Sequence, residues 1–268
     1  MRPPPSNRLA AGRGGGPAAD PHPDGAASVG LGSAAVESQR AAVRRMFDRI
    51  SPRYDLLNRL LSLGLDRGWR REAVRRMSAP PGGRVLDVAC GTADLALEAA
   101  RAVRGGAVVG IDFSAPMLVR ARRKAERARR GAPVCFALGA AEHLPVASGS
   151  FDAAGIAFGI RNVPDRPRAL REMARAVRPG GRVVVLELAA PRSGVLRRVV
   201  AFYLGRLVPL LGGSLSSGGA YRYLVRSMDS FPRPEDFLRE MEEAGLVEAA
   251  VLPLPPSPAW IAVGVVPR

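Results

Sequence analysis

Residues 85–95 read VLDVACGTADL, and this stretch decides the fold. An apolar run ends in small residues, the small residues turn the chain, and a helix-forming run begins at about Asp94. Such a pattern predicts a buried strand passing directly into a helix. Working outward, the alternation repeats. RVLDVAC (84–90), AVVGIDF (107–113), PVCFAL (133–138), FDAAGIAF (151–158) and RVVVLEL (182–188) predict five strands. Between them, DLALEAARAV (94–103), APMLVRARRKAERARR (115–130) and RALREMARAV (168–177) predict helices, the second capped by Ser114 and the third stopped by Pro179-Gly180-Gly181. A helix at 234–246 and strands at 247–252 and 259–265 close the chain. Strands and helices alternating at this length imply right-handed crossovers and a parallel sheet covered on both faces, an α/β, Rossmann-like architecture.

The flanks differ in character. Residues 1–35 are mostly Pro, Gly and Ala, too poor in apolar surface to offset the entropy of ordering, and are expected to be disordered. From Val36, apolar residues recur at helical spacing; Pro52 breaks the run and a second helical stretch follows. Residues 36–80 therefore read as an N-terminal helical cap, and 81–268 as the main domain. Residues 193–230 interrupt the α/β rhythm as a helical insert. Its apolar part at 195–213, with Arg197, Arg198 and Arg206, suits a greasy groove, peripheral contact with an anionic bilayer, or a buried helical insert.

Composition narrows the function. Apolar residues make up 47% and charged residues 24%, as in an ordinary globular protein. The net charge of +16 is high, but all 40 basic residues except Lys124 are Arg, spread over nearly every segment. A compositional bias explains that better than a polyanion site, and no nucleic-acid partner is expected. Cys90 and Cys135 read as a buried pair of free thiols in a reducing compartment, not a disulfide scaffold. With His22 and His143 the only histidines, no metal site is expected. No apolar run is long enough to span a bilayer and the N-terminus lacks the apolar stretch of a secretory signal, so the cytoplasm is the expected location.

The turn after strand one lies where open parallel sheets bind ligands. It is a poor dinucleotide loop, because Cys90 and Ala93 fill slots that glycine often takes and only Gly91 remains. A ligand without a pyrophosphate needs less clearance. The next strand ends in Asp112, whose carboxylate can accept hydrogen bonds from both ribose hydroxyls of an adenosine ligand. Taken alone, that fits NAD as well as an adenosyl sulfonium. GAAEHLP (139–145) offers a loop that can embrace adenine, and VRPGGRVVVLE (177–187) a glycine turn before strand five; both tilt the choice toward the sulfonium.

At these residues the chain resembles the class I S-adenosylmethionine-dependent methyltransferases, and within them the quinone-biosynthesis C-methyltransferases acting on demethylmenaquinol and on polyprenyl benzoquinols. The resemblance rests on 46–71 (MFDRISPRYDLLNRLLSLGLDRGWRR), 85–95, 158–165 (FGIRNVPD), 178–187 (RPGGRVVVLE) and 221–228 (YRYLVRSM). It implies a mainly parallel seven-stranded sheet, S-adenosyl-L-methionine as methyl donor without a metal, and a lipophilic prenylated quinol as substrate, demethylmenaquinol preferred, with the benzoquinol or another phenol or polyketide as the alternative acceptor. It also implies that Gly91, Thr92 and Asp112 contact the cofactor, that Asp87 holds its ammonium directly or through water, and that Ala140 and Ala141 flank its adenine. Ala157 takes a cofactor-facing position that is Ser in some relatives, and Ala140 replaces an Asn. Contacts at Ala140 and Ala157 are then backbone or van der Waals only.

C-methylation of a quinol needs a hydroxyl proton removed and the ring carbon aligned. Candidate catalytic residues are Arg161, Asn162 and Tyr54. Arg161 is no simple base, since a guanidinium in a protein keeps its proton, but it can stabilise a phenolate or orient a water. Asn162 can bond the same oxygen, and Tyr54 on the cap can close over the substrate. The plainer alternative makes Arg161 one surface Arg among many and Asn162 a helix cap. Tyr221, Arg222 and Tyr223 either line the substrate side or pack the cap. The sequence leaves a homodimer open.

Overall fold

The computed structural model describes residues 33–128, 131–188, 223, 226–255 and 257–268. The expected tail at 1–35 and insert at 193–230 fall almost wholly outside these residues, as do Tyr221 and Arg222. The N-terminal helices are α1 (Ser33–Ile50), a 3-10 turn (Ser51–Arg53), α2 (Tyr54–Ser62) and α3 (Asp66–Met77). Then come β1 (Arg84–Val88), α4 (Asp94–Ala102), β2 (Ala107–Asp112), α5 (Ala115–Ala128), β3 (Val134–Leu138) and β4 (Phe151–Ala157). A 3-10 turn (Ile160–Asn162), α6 (Arg166–Ala176), β5 (Val177–Leu188), α7 (Pro234–Glu243), β6 (Val247–Pro253) and β7 (Ala259–Val265) complete the chain.

The seven strands form one sheet in the order β3-β2-β1-β4-β5-β7-β6. All neighbours are parallel except β7, which runs antiparallel to both β5 and β6. The central strands read as continuous apolar runs because helices cover both faces. One core packs α3, α4 and Ala121 of α5 against the sheet through Met77, Leu95 and Ala99; the other packs α6 and α7 through Leu170, Met173, Phe237 and Met241. Gly155 of β4 leaves room for the Met77 side chain of α3, since a Cβ there would lie 2.1 Å from Met77 Cε.

Three expectations are corrected. The sixth helix begins at Arg166, capped by Asp165, whose Oδ1 accepts from Arg168 N, so Asn162 is not its cap. Pro179-Gly180-Gly181 does not separate helix from strand: β5 already begins at Val177, opposite Phe151, and its register with β4 shifts before Arg182 meets Ala153. The extra residues bulge there, with Gly180 at φ +80°. Cys135 is exposed on the edge strand β3, so the two thiols are not a buried pair; Cys90 alone is buried.

Candidate functional site

Strand order reverses between β1 and β4, which is where an open α/β sheet leaves a crevice beyond its strand ends. A cavity of about 300 Å³ lies there, within the size range of small-molecule sites. Its walls include Gly91 after β1, Asp112 at the end of β2, Ala140 and Ala141 after β3, and Ala157 and Asn162 at the end of β4. The cap supplies Phe47 of α1 and Tyr54 of α2. Seven of the ten residues expected at the site thus share one cavity.

Asp87 and Thr92 line a smaller side pocket that shares Tyr54, Ala89 and Ala157 with the main cavity. Arg161 lines neither. Its guanidinium is almost fully buried and pairs with Glu187 of β5, a carboxylate with no exposure at all. Glu187 also accepts from Leu188 N at 2.9 Å. Arg161 still faces the site electrically: it lowers the pKa of the Tyr54 and Tyr223 phenols, against the burial that raises both. Arg161 Nε and Asn162 Oδ1 are buried with no hydrogen-bond partner among the described residues.

The turn after β1 holds strained backbone. Ala89 (φ 51°), Gly91 (φ 55°) and Ala93 (φ 72°) are all left-handed, and Phe158 (φ 58°) is too, on the opposite lip. Positive φ on alanine or phenylalanine costs energy and concentrates at functional sites. The turn brings Gly91 N to Asp112 Oδ2, and Ser114 N, just after β2, donates to Asp112 Oδ1, each at 2.8 Å. The Asp112 carboxylate is therefore fixed at the cavity wall with a lone pair to spare on each oxygen. Burial pushes its pKa up to about 6, Asp48 adding to the rise and the N–H bonds opposing it. Asp87 accepts from Ala96 N at 2.8 Å. Burial lifts its pKa to about 8.

The cap is tied down at three places along the cavity. Arg40 of α1 pairs with the buried Glu142 beside the Ala140–Ala141 loop at 2.6 Å. Ser114 Oγ donates to Asp48 Oδ1 at 2.5 Å. At the turn, Thr92 Oγ1 donates to Asp55 Oδ1 at 2.5 Å, and Lys124 Nζ reaches Asp55 Oδ2 at 2.8 Å and Asp94 Oδ1 at 2.5 Å. Burial alone would raise the Asp55 carboxyl, but the bonds from Lys124 and Thr92 outweigh it and hold it below its ordinary range. Tyr54 then lies over the turn, with Cε1 3.6 Å from the place a Cβ on residue 91 would take.

A model of the ubiE/COQ5 methyltransferase family matches residues 34–253. The chain belongs to this family. Among its relatives, the ubiquinone/menaquinone biosynthesis C-methyltransferase of Geobacter sulfurreducens is 46% identical over 209 residues, covering 78% of this chain and 82% of the relative. The demethylmenaquinone methyltransferase of Thermus thermophilus is 50% identical over 201 residues, covering 75% and 90%. Solved structures agree on the fold. A SAM-dependent methyltransferase of Thermotoga maritima, described as a possible histamine N-methyltransferase, gives a TM-score of 0.58 at 21% identity over 82% of this chain and 98% of that one. Haemonchus contortus phosphoethanolamine N-methyltransferase 2, in complex with S-adenosyl-L-methionine, gives 0.56 at 16% identity over 74% and 52%.

This methyltransferase carries functional candidates that sequence reasoning passed over: Asp48, Asp55, Arg70, Lys124, Glu142 and Glu187. Two signals were available. Lys124 is the only Lys in a chain that otherwise uses Arg, and Glu187 is a charge inside an apolar strand. Among the described residues no helix is long and apolar enough to cross a membrane, and no cluster of His, Cys, Asp or Glu could hold a metal ion.

Proposed function

We propose that this methyltransferase transfers the methyl group of S-adenosyl-L-methionine to a ring carbon of a prenylated hydroquinone, converting demethylmenaquinol to menaquinol. The benzoquinol step of ubiquinone biosynthesis is the second reading, since relatives such as that of Geobacter sulfurreducens are named for both pathways. Relatives named demethylmenaquinone methyltransferase, at 50% and 45% identity, favour the naphthoquinol.

The residues fit the methyl donor. Asp112, fixed by two backbone N–H groups, takes the ribose hydroxyls. Ala140 and Ala141 leave room for a flat base against Phe113 and Met117. Asp87 takes the ammonium, and Gly91 allows close approach at the turn. When bound, S-adenosyl-L-methionine supplies an electrophilic methyl group on a positively charged sulfur.

The observation that carries the acceptor side is Asn162 Oδ1, a buried acceptor without a partner among the described residues, on a residue that lines the same cavity as Asp112. A buried acceptor without a partner costs about 1–3 kcal/mol, and a substrate hydroxyl donating to it removes that cost. Arg161, held by Glu187 and outside the lining of either cavity, favours the phenolate through its charge as the hydroxyl passes its proton to a water molecule. Tyr54 closes the cavity from the cap and excludes bulk solvent. Holding the ring carbon in line is worth up to about 7–11 kcal/mol.

The test is an assay with labelled methyl donor against a reduced short-chain demethylmenaquinone and a matching demethylated benzoquinol. Label in the naphthoquinol alone is expected. Label in the benzoquinol alone favours the second reading, and label in neither overturns the proposal.

A further inference from the structure

Helix α2 reads YDLLNRLLS, and none of its nine residues is buried. Its apolar surface continues into the turn that follows. Leu56 is 57% exposed, Leu63 71% and Leu65 46%, half of the six exposed large apolar side chains among the described residues. Backbone bonds fix this turn: Gly64 N donates to Arg59 O at 2.9 Å and Leu65 N to Ser62 O at 3.0 Å. Leu63 is held there at φ 52°. A bulky residue in the left-handed region is strained, and this one also turns its side chain to water. A Cβ at Gly64 or Gly68 would meet nothing within 4 Å, so no described residue packs over the turn or the start of α3 at these positions.

The charges on this face are of one sign. Arg53, Arg59 and Arg67 are exposed, and none of them pairs with a carboxylate among the described residues. The two acids of the same stretch are engaged elsewhere: Asp55 binds Lys124 and Thr92, and Asp66 is buried against Arg70. Exposed leucines among unpaired arginines match the interface of an anionic bilayer, where the acyl boundary takes the apolar side chains and the headgroups take the charge. The face also adjoins the site, because Tyr54, the first residue of α2, lines the cavity. From Tyr54 to Leu63 the chain runs roughly 14 Å at the helical rise per residue. We infer that α2 and the turn into α3 rest on an anionic membrane surface, with Leu56, Leu63 and Leu65 inserted and Arg53, Arg59 and Arg67 on lipid phosphates. The cap then holds the cavity against the phase in which a prenylated acceptor dissolves. The inference goes beyond the methyl-transfer reading, and lipid binding is measured without turnover, so either can fail alone.

The experiment is flotation of the full chain with vesicles of phosphatidylcholine, or of phosphatidylcholine with an equal part of phosphatidylglycerol. Wild type is expected to float with the mixed vesicles, partitioning onto them roughly 100-fold better than onto the neutral ones, the gain for three arginines at an anionic surface. Leu56→Gln, Leu63→Gln and Leu65→Gln combined keep every charge and are expected to weaken that partitioning by roughly tenfold for each leucine. Their melting temperature should match wild type, since all three side chains are exposed. Arg53→Gln, Arg59→Gln and Arg67→Gln combined are expected to lose most of the preference for the mixed vesicles. Arg122→Gln, Arg123→Gln and Arg127→Gln, on the exposed side of α5, remove the same charge elsewhere and should float like wild type. Wild type that floats with neither vesicle overturns the inference. So does a leucine variant that floats as well as wild type, or an α5 variant that loses as much as the cap arginine variant. A leucine variant that floats unchanged but converts a wild-type dimer to a monomer in sedimentation assigns the face to a second copy of the chain, and overturns the inference equally.

Discussion

Lys124 Nζ lies 2.8 Å from Asp55 Oδ2, joining α5 of the sheet domain to the cap helix that carries Tyr54. The same ammonium reaches Asp94 at the first turn of α4, so one side chain clamps cap, cofactor turn and helix together. An ammonium suits this spot because its three rotatable donors can turn toward two carboxylates at once. Both partners are partly exposed, which limits the pair to about 1 kcal/mol. Lys124→Met and Asp55→Asn are expected to leave the melting temperature nearly unchanged, lower turnover severalfold, and combine without a further loss. Additive losses in a double-mutant cycle would mean that the pair does not act as a unit.

Asp112 is expected to dominate donor affinity. Asp112→Asn keeps one acceptor and loses the charge, and should weaken S-adenosyl-L-homocysteine by roughly 10- to 100-fold by calorimetry. In the wild type, affinity should also fall as the pH drops below about 6, where the carboxyl takes up a proton. Unchanged affinity in the variant would remove the ribose contact.

Asp87 makes a prediction of two opposed signs. Its pKa is raised to about 8 by burial, so at neutral pH it carries a proton until a cation arrives. Binding the ligand's ammonium then releases that proton, and affinity should rise with pH toward 8. For the fold the sign is reversed. A carboxyl raised above its unfolded value favours the folded state at low pH and loses that advantage as pH climbs through about 8. Asp87→Asn should therefore melt higher than wild type at pH 9, match it near pH 4, and bind the ligand more weakly. Equal melting curves at pH 9 would contradict the burial argument.

Arg161 cannot be probed by truncation alone, because Glu187 would be left buried and unpaired at a cost of about 3–5 kcal/mol. Arg161→Met is expected to lose both stability and turnover. Adding Glu187→Gln should recover much of the stability and none of the turnover, while S-adenosyl-L-homocysteine still binds. Turnover restored in the double variant would assign Arg161 a purely structural role.

The frame of this site was legible in the residues. An apolar strand running into small residues placed the turn, and a lone acid at the end of the next strand placed Asp112; both follow from local pattern and need no tertiary knowledge. What escaped was everything that depends on which helix returns to which strand. Glu187 reads as one charge in RVVVLEL until the turn after β4 brings Arg161 against it. Asp48, Asp55 and Arg70 read as the polar face of cap helices, since no period in the sequence says that this face folds back over the sheet. The glycine pair at 180–181 reads as a helix stop because glycine after a helical run signals its end, and a bulge inside β5 gives the same local pattern.

The central claim is methyl transfer to carbon, and the chemical state of the product tests it most directly. Reduced demethylmenaquinone analogue is incubated with the enzyme and S-adenosyl-L-methionine, then exposed to air, and the product is followed by absorbance and mass. A product one methyl group heavier that reoxidises to a quinone is expected, because both hydroxyls remain free. A methylated product that resists reoxidation would carry the methyl on oxygen and would contradict the account.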